Sequence, residues 1–329
     1  MHRRMFLKAA AVVTAVAMGL TGCSDVSTTV SGPTRTVTDA EGTEMEVPEN
    51  PQRVITFSEP TLDAALALGV TPIGTVAGRG QQGVPYYLKE QAGDIPIVGN
   101  VGQPNLEAIG AAKPDLILVD GTSVNNNPPM VEALRAIAPT YYTGFAGGVW
   151  DFNLTHVANA LNKEAEGQKV KDDYAAAVAD ASAKLAVDYS DKTFAIVRWQ
   201  GNGASLILKE LPAGQVLNDL GMKRPPEQDK EGRGHSEPVA NENLNMIDAD
   251  YMFFGTLGGS SVNNPNAGGN IGVEASEEAI LSAENVPGFT DLHAYKEGHI
   301  IPVDGSLWTS TGGPLLMRTI IDDVTSNLL

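Results

Sequence analysis

The chain has 329 residues, with 22 Lys and Arg against 40 Asp and Glu, and a formal net charge of −18 at pH 7. Such a surface repels phosphate backbones, which excludes nucleic acid as a partner; high acidity otherwise serves solubility. With Cys23 as the single cysteine, no intrachain disulfide is available.

The first predicted element is an export signal. His2-Arg3-Arg4 supplies a basic head, Ala9–Leu20 an apolar run, and Thr21-Gly22 small residues ahead of Cys23. The apolar run is too short to cross a bilayer stably, so residues 1–22 read as a cleaved signal rather than a buried anchor. Cleavage removes Arg3, Arg4 and Lys8 and leaves 19 basic against 40 acidic side chains, a net charge of −21. Ser24–Thr36 is rich in Ser, Thr, Gly and Pro, and residues 23–36 are expected to form a flexible tether.

From Arg53 onward, β-type runs alternate with helix-type segments. Val54–Phe57 is expected as a strand, Leu62–Leu68 as a helix ending at Gly69, and Pro72–Val76 as a second strand. Leu106–Ala112 reads as a helix leading into the strand Leu116–Val119, and Val131–Ile137 as a helix before Thr140–Tyr142. This alternation argues for an α/β sheet with helices on both faces. Residues 163–187 break it. Val170, Tyr174, Val178, Ala181 and Leu185 fall at helical spacing with no Pro or Gly after Gly167. At 1.5 Å per residue that helix spans roughly 30 Å or more. Alternation resumes with strands at Thr193–Val197, Tyr251–Phe254 and Ile300–Val303.

The second half echoes the first. Leu68-Gly69-Val70-Thr71-Pro72 is matched by Leu220-Gly221-Met222-Lys223-Arg224-Pro225. Glu107 precedes Asp115 and a strand, as Glu242 precedes Asp250 and a strand, at the same separation. Leu134-Arg135-Ala136 and Leu292-His293-Ala294 each precede a further strand. The fold expected is α/β, with two Rossmann-like lobes (residues 37–162 and 188–329) joined by one long rigid helix at 163–187.

Catalytic signatures are weak. The chain holds no Gly-x-Ser-x-Gly elbow. Gly201-Asn202-Gly203 and Gly258-Gly259 lack the spacing of a phosphate cradle and read as turns, and Asn263–Gly272 as an exposed loop. No enzyme activity is expected. A metal-binding solute protein needs His and carboxylate ligands converging on an ion, but His156, His235, His293 and His299 are spread without ligand spacing. Tyr141, Tyr142 and His235 keep a haem ligand open.

Several motifs then carry a resemblance. Leu20-Thr21-Gly22-Cys23 looks like a bacterial lipobox, with a lipid on Cys23, and Arg3-Arg4-Met5-Phe6-Leu7-Lys8 resembles a twin-arginine export signal. With these come Asn50-Pro51-Gln52-Arg53-Val54-Ile55, Gly102-Gln103-Pro104-Asn105-Leu106-Glu107, Lys113-Pro114-Asp115-Leu116-Ile117, and Trp308 ahead of Gly312-Gly313-Pro314-Leu315 and Asp322-Asp323. From about Arg35 the chain resembles the iron-siderophore and cobalamin class of substrate-binding lipoproteins of ABC importers, of the ferric siderophore-binding type. The resemblance implies a ligand cleft between the lobes and no intrinsic cofactor, with a ferric siderophore as transported ligand. It implies a permease dimer with ATPase subunits as partner, a monomeric receptor, and a place outside the cytoplasmic membrane, held there by the lipid. An extracytoplasmic enzyme and a ligand sensor are the competing classes.

Candidate ligand residues follow strand ends, where open α/β sheets place ligands. Arg198 and Trp199 follow Phe194–Val197, and the Arg resembles the siderophore-contacting Arg of the family; a surface salt bridge is its alternative. Trp308 follows Ile300–Val303, with a core Trp as the alternative. Arg79 follows Pro72–Val76, Tyr142 ends another strand, and Trp150 comes soon after. Gln103 stands where some hydroxamate binders of the family carry Arg, and Tyr86-Tyr87 is a further aromatic pair. Of eight arginines after Cys23, only Arg79 and Arg198 fall at cleft positions, too few to compensate three buried negative charges. A hydroxamate or mixed hydroxamate–citrate siderophore is therefore expected over a tris-catecholate. Glu107 and Glu242 each begin a helix, which favours a helix-dipole role; the resemblance implies that they dock on arginines of the membrane subunits.

Overall fold

The computed structural model describes residues 32–124, 127–145, 147–232, 236–257 and 271–329. The expected signal, Cys23, His235, Gly258-Gly259 and most of the Asn263–Gly272 loop lie outside them. No helix among the described residues is long and apolar enough to cross a membrane.

The described chain opens with an antiparallel hairpin, β1 (Thr34–Thr38) and β2 (Glu44–Pro48). Val37 and Val47 point from it into the main core. Arg35 binds the side chain and carbonyl of Asn159, and the Tyr141 hydroxyl donates to the Thr38 carbonyl at 2.8 Å. This corrects the expected tether, whose last residues Thr34–Thr36 belong to β1. Their Ser/Thr-rich surroundings resemble a linker, but alternating β-branched residues pair once a partner strand and an apolar surface are at hand.

Among the described residues the sheet of the first lobe holds six strands: β3 (Val54–Thr56), β4 (Gly74–Ala77), β5 (Ile97–Asn100), β6 (Gln103–Pro104), β7 (Leu116–Val119) and β8 (Thr140–Tyr142), in the order β6-β5-β4-β3-β7-β8. All run parallel except the edge strand β6. Leu-Ile-Leu-Val in β7 is wholly buried, as a parallel strand covered on both faces requires. The covering helices are α1 (Glu59–Ala67), α2 (Lys89–Ala92), α3 (Leu106–Ala112), α4 (Pro128–Arg135) and α5 (Trp150–Leu161). α1 starts earlier than its apolar spacing suggests. Ser58 and Thr61 form a capping box around Pro60, and that start signal is polar.

The bridge is α6 (Glu164–Tyr189), 26 residues or about 39 Å long. Its buried residues Gly167, Tyr174, Ala181 and Leu185 make one stripe. Gly167 lets α5 come close, since a Cβ there would lie 2.9 Å from the Ala158 methyl. Tyr174 donates to Asp219 at 2.8 Å and Tyr189 to the Leu328 carbonyl at 2.7 Å, which fastens the same helix to the second lobe.

That lobe contains β9 (Phe194–Gln200), β10 (Gly203–Leu206), β11 (Glu237–Val239), β12 (Tyr251–Thr256) and β13 (Ile300–Asp304), in the order β11-β10-β9-β12-β13. β9, β12 and β13 are parallel; β10 returns antiparallel through the turn at Gly201, whose φ is +59°. Its helices are α7 (Pro212–Asp219), α8 (Val273–Ala283), α9 (His293–Lys296), α10 (Gly305–Trp308) and α11 (Pro314–Leu328).

The sequence echo is a structural one. Gly69 and Gly221 both leave a helix at positive φ, +75° and +73°, where a side chain would be strained. Asp115 accepts the backbone N–H of Gln52 and Arg53 at 2.8 and 2.9 Å; Asp250 accepts the backbone N–H and hydroxyl of Thr193 at 2.8 and 2.9 Å. Each aspartate, at the foot of one strand, thus fixes the foot of its neighbour.

Candidate ligand-binding site

Parallel strands deliver their C-terminal ends to one side of each sheet, and those ends carry the charged residues of the cleft. In the first lobe Glu59, Arg79 and Asp120 follow β3, β4 and β7. In the second, Arg198 lies on β9, and Thr309–Thr311 follow β13 and α10.

Arg79 donates its backbone N–H to Glu59 at 2.6 Å and its guanidinium to the same carboxylate, while Nη1 reaches Thr311 Oγ1 in the other lobe at 2.7 Å. Arg198 donates Nη1 to Ser236 Oγ at 3.2 Å and Nη2 to the Thr309 carbonyl. The two guanidiniums, one per lobe, therefore converge on a three-residue segment. Burial first, and then the Arg79 charge, lowers the Arg198 pKa to about 10, so it stays cationic at neutral pH. Arg79 Nη2 and Arg198 Nε are buried and meet no acceptor among the described residues. Each such N–H costs roughly 1–3 kcal/mol until an oxygen reaches it. An oxygen-rich, anionic or strongly polar ligand satisfies both donors and relieves the repulsion between the cations.

Asp120 sits beside this pair, wholly buried, with Oδ1 accepting the N–H groups of Thr122 and Ser123 at 2.9 and 2.8 Å. Burial pushes its pKa up, against the pull of Ser58 and of the Arg79 charge. Glu59, Asp120, Ser236, Thr309 and Thr311 were not signalled as cleft residues by their sequence surroundings. The strand-end rule that points to Arg198 applies equally to Asp120, directly after β7. Glu59 reads as an ordinary first-turn acid of α1, and nothing local reveals that it is buried.

Other expected ligand residues lie elsewhere. Trp199 is corrected to a core residue: its ring stacks on Phe254 at 5.7 Å, meets Phe289 edge-on at 5.5 Å, and donates to the Gly201 carbonyl at 2.9 Å. Neighbours on a strand point to opposite faces, so turning Arg198 to the cleft sends Trp199 into the lobe. Trp308 is also core, stacked on Phe253 at 4.2 Å with its N–H on Asp323 at 3.0 Å. Trp150 lies against Tyr174 of the bridge at 4.7 Å and borders a crevice with Lys209 and Gln215, apart from the arginines. Tyr142 is buried in the first lobe's core, edge-on to Phe145 at 6.3 Å. Gln103 is exposed on the edge strand β6, with β5 between it and β4.

His156 meets the Tyr141 hydroxyl at 2.9 Å, and His299 stacks on Tyr251 at 4.2 Å with Nδ1 2.9 Å from the Asp250 carbonyl. His293 is exposed near Asp250. His293 and His299 thus share Asp250 while His156 lies apart, and among the described residues they form no cluster of three or more metal-ligating groups. Glu107 and Glu242 are both exposed. Asn105 caps α3 at Ala108 with a 3.0 Å bond, so Glu107 is not its cap. Glu242 stands in the first turn of a 3₁₀ helix, Asn241–Ile247.

Two α/β lobes on one stiff helix, with a cation from each lobe meeting between them, define a bilobal solute-binding protein. A family model described as periplasmic binding protein matches residues 54–307, and the chain belongs to that family. The family is one of binding proteins rather than enzymes. The chain is 31% identical to the probable siderophore-binding lipoprotein YfiY of Bacillus subtilis (strain 168), over 99% of this chain and 97% of that one. It is 26% identical to the Fe(3+)-citrate-binding protein YfmC of the same organism, over 88% and 84%. Among solved structures, Staphylococcus aureus SirA complexed with staphyloferrin B superposes with a TM-score of 0.74 at 26% identity, covering 89% of this chain and 98% of that one.

Proposed function

We propose that this protein is the substrate-binding lipoprotein of an ABC importer, capturing a ferric siderophore outside the cytoplasmic membrane and passing it to a permease for iron uptake. The observation that carries the reading is the meeting of Arg79 and Arg198 on Thr309–Thr311, with a buried, unmatched N–H on each. The names of YfiY, YfmC and SirA support a ferric chelate as the ligand. Charge balance narrows the class. Glu59 already neutralises Arg79, so among the described residues Arg198 is the cleft cation without a carboxylate partner. A ligand of low net charge, a hydroxamate or mixed hydroxamate–citrate chelate, suits that balance better than a tris-catecholate with about three negative charges. Competition between the three ferric classes for one site tests this; preference for the tris-catecholate would reverse the assignment.

Attachment is proposed through a lipid on Cys23. Cys23→Ser is expected to leave a folded, ligand-competent protein that is released from membranes. Fractionation after a salt wash checks this, and a variant still in the membrane fraction contradicts the tether.

Glu107 and Glu242 are proposed as the docking pair, one per lobe. Glu107→Ala and Glu242→Ala should leave siderophore affinity intact and lower uptake, with a larger loss in the double variant. Reversal to Arg should hurt more, because repulsion is added to a lost attraction. A stable double variant that transports like wild type would leave only the helix-dipole role.

A further inference from the structure

Tyr86 and Ile97 are large apolar side chains with 61% and 39% of their surfaces exposed, yet they do not stand on a convex surface. With Val84 and Ile271 they line a cavity of about 620 Å³, which Gly80 and Lys89 also border. Ile271 comes from the second lobe, just ahead of α8, so the cavity lies between the lobes. Gly80 follows Arg79 directly in the chain, so one wall of the cavity begins at the residue next to the arginine site. Its wall is preformed. The Gly78 N–H donates to the Gly83 carbonyl at 2.9 Å, Gln81 N–H to the Gly78 carbonyl at 3.0 Å, and the Tyr86 N–H to Gln81 Oε1 at 2.7 Å. Tyr87, the other half of the aromatic pair, is turned away and bonded to Asp63.

Resting on the reading of the cleft as a ferric-chelate site, we propose that this cavity is a specificity subsite for an apolar arm of the chelate, a short acyl or aryl extension. Arg79 and Arg198 hold the oxygen-rich iron centre while the arm lies across Tyr86, Ile97 and Ile271. The volume falls within the roughly 300–1,000 Å³ of small-ligand sites, and Val84, Tyr86, Ile97 and Ile271 form an apolar wall, with Lys89 and Asp94 beside it. A charged site and, one residue on from Arg79, a cavity with an apolar wall suit a ligand with a polar head and an apolar arm better than a wholly polar chelate.

The test uses a ferric trihydroxamate and its analogue carrying one acyl chain of about four carbons. A fully buried methylene contributes roughly fourfold in affinity, so a partly covered chain should bind about 10- to 50-fold tighter than no chain. Ile97→Asp should bring the acylated chelate down to the affinity of the plain one, and Tyr86→Ala should remove part of the preference. Both side chains are exposed, so melting temperatures should be unchanged. Equal binding of the two chelates by wild type, or a preference that survives Ile97→Asp, overturns the subsite while leaving the arginine site standing. Binding of neither chelate overturns the subsite, and the arginine site falls with it only if ferric hydroxamate–citrate and catecholate chelates also fail to bind.

Discussion

Arg198→Ala is expected to weaken binding of the ferric siderophore by about 1.5–3 kcal/mol, a factor of roughly 10 to 150. The guanidinium is largely desolvated, already spends two donors on Ser236 and Thr309, and keeps Nε for another acceptor. A charge-assisted bond to a ligand oxygen in such a place is worth more than the same bond in water. Folding stability should move by less than about 1 kcal/mol, because two effects oppose. The Thr309 carbonyl loses a donor, while a buried cation next to Arg79 disappears. Arg198→Lys should fall between, keeping the charge but losing the planar fork. Calorimetric titration with thermal melts checks both halves; unchanged affinity with lowered stability would make Arg198 a structural tie only.

Asp63→Ala is expected to lower folding stability by about 3–4 kcal/mol at pH 5. Asp63 lies on α1 in the first lobe, wholly buried, and accepts the N–H groups of Leu315 and Leu316 at 2.8 and 3.0 Å and the Tyr87 hydroxyl at 2.8 Å. It therefore caps α11 from across the lobe boundary, meeting the donors that a helix N-terminus leaves unmatched. Gly313 keeps the approach open, since a Cβ there would sit 2.7 Å from Asp63 Oδ1. Truncation leaves three buried donors without an acceptor; Asp63→Asn keeps the amide oxygen for the helix and should cost less.

The pH dependence has a definite sign. Burial raises the Asp63 pKa from 3.8 to about 6, against the donors around it. The native state therefore holds the proton more tightly than the unfolded chain. This contribution is fully present below about pH 4 and is lost as pH rises through 6, on the order of 3 kcal/mol in all. Urea unfolding of wild type should show that loss, Asp63→Asn should not, and the penalty of Asp63→Ala should shrink between pH 5 and pH 7. A flat wild-type profile over pH 4–7 contradicts the raised pKa.

Both residues show where sequence reading reaches and where it stops. Leu106–Ala112, Leu116–Val119 and Thr140–Tyr142 take their expected bounds, because apolar periodicity and the flanking Asn105 and Pro139 are local signals. The bridge is legible for the same reason, and the paired aspartates 115 and 250 carry the two-lobe repeat. Arg79 and Arg198 lie between the lobes, where strand ends place side chains, and that position is readable in the sequence. Trp199 and Trp308 are misplaced because proximity to a strand end does not say which face a side chain takes. Asp63 is invisible, since Thr-Leu-Asp-Ala-Ala reads as an ordinary amphipathic turn and its partner N–H groups lie 252 and 253 positions away. Glu59 is hidden likewise, since its partner Arg79 lies 20 positions away at the end of another strand.

If the arginine pair between the lobes binds a ferric siderophore, the bound ligand should be visible in the protein's tryptophan fluorescence. Titration of the protein with ferric and iron-free forms of one hydroxamate siderophore, followed by quenching of Trp150, Trp199 and Trp308, tests it most directly. Saturable one-to-one quenching by the ferric chelate is expected, with weaker binding of the iron-free form and loss of saturation when Arg79 and Arg198 are both replaced by Ala. No saturable response to ferric hydroxamate, hydroxamate–citrate or catecholate chelates, or an undiminished response in the double variant, would contradict it.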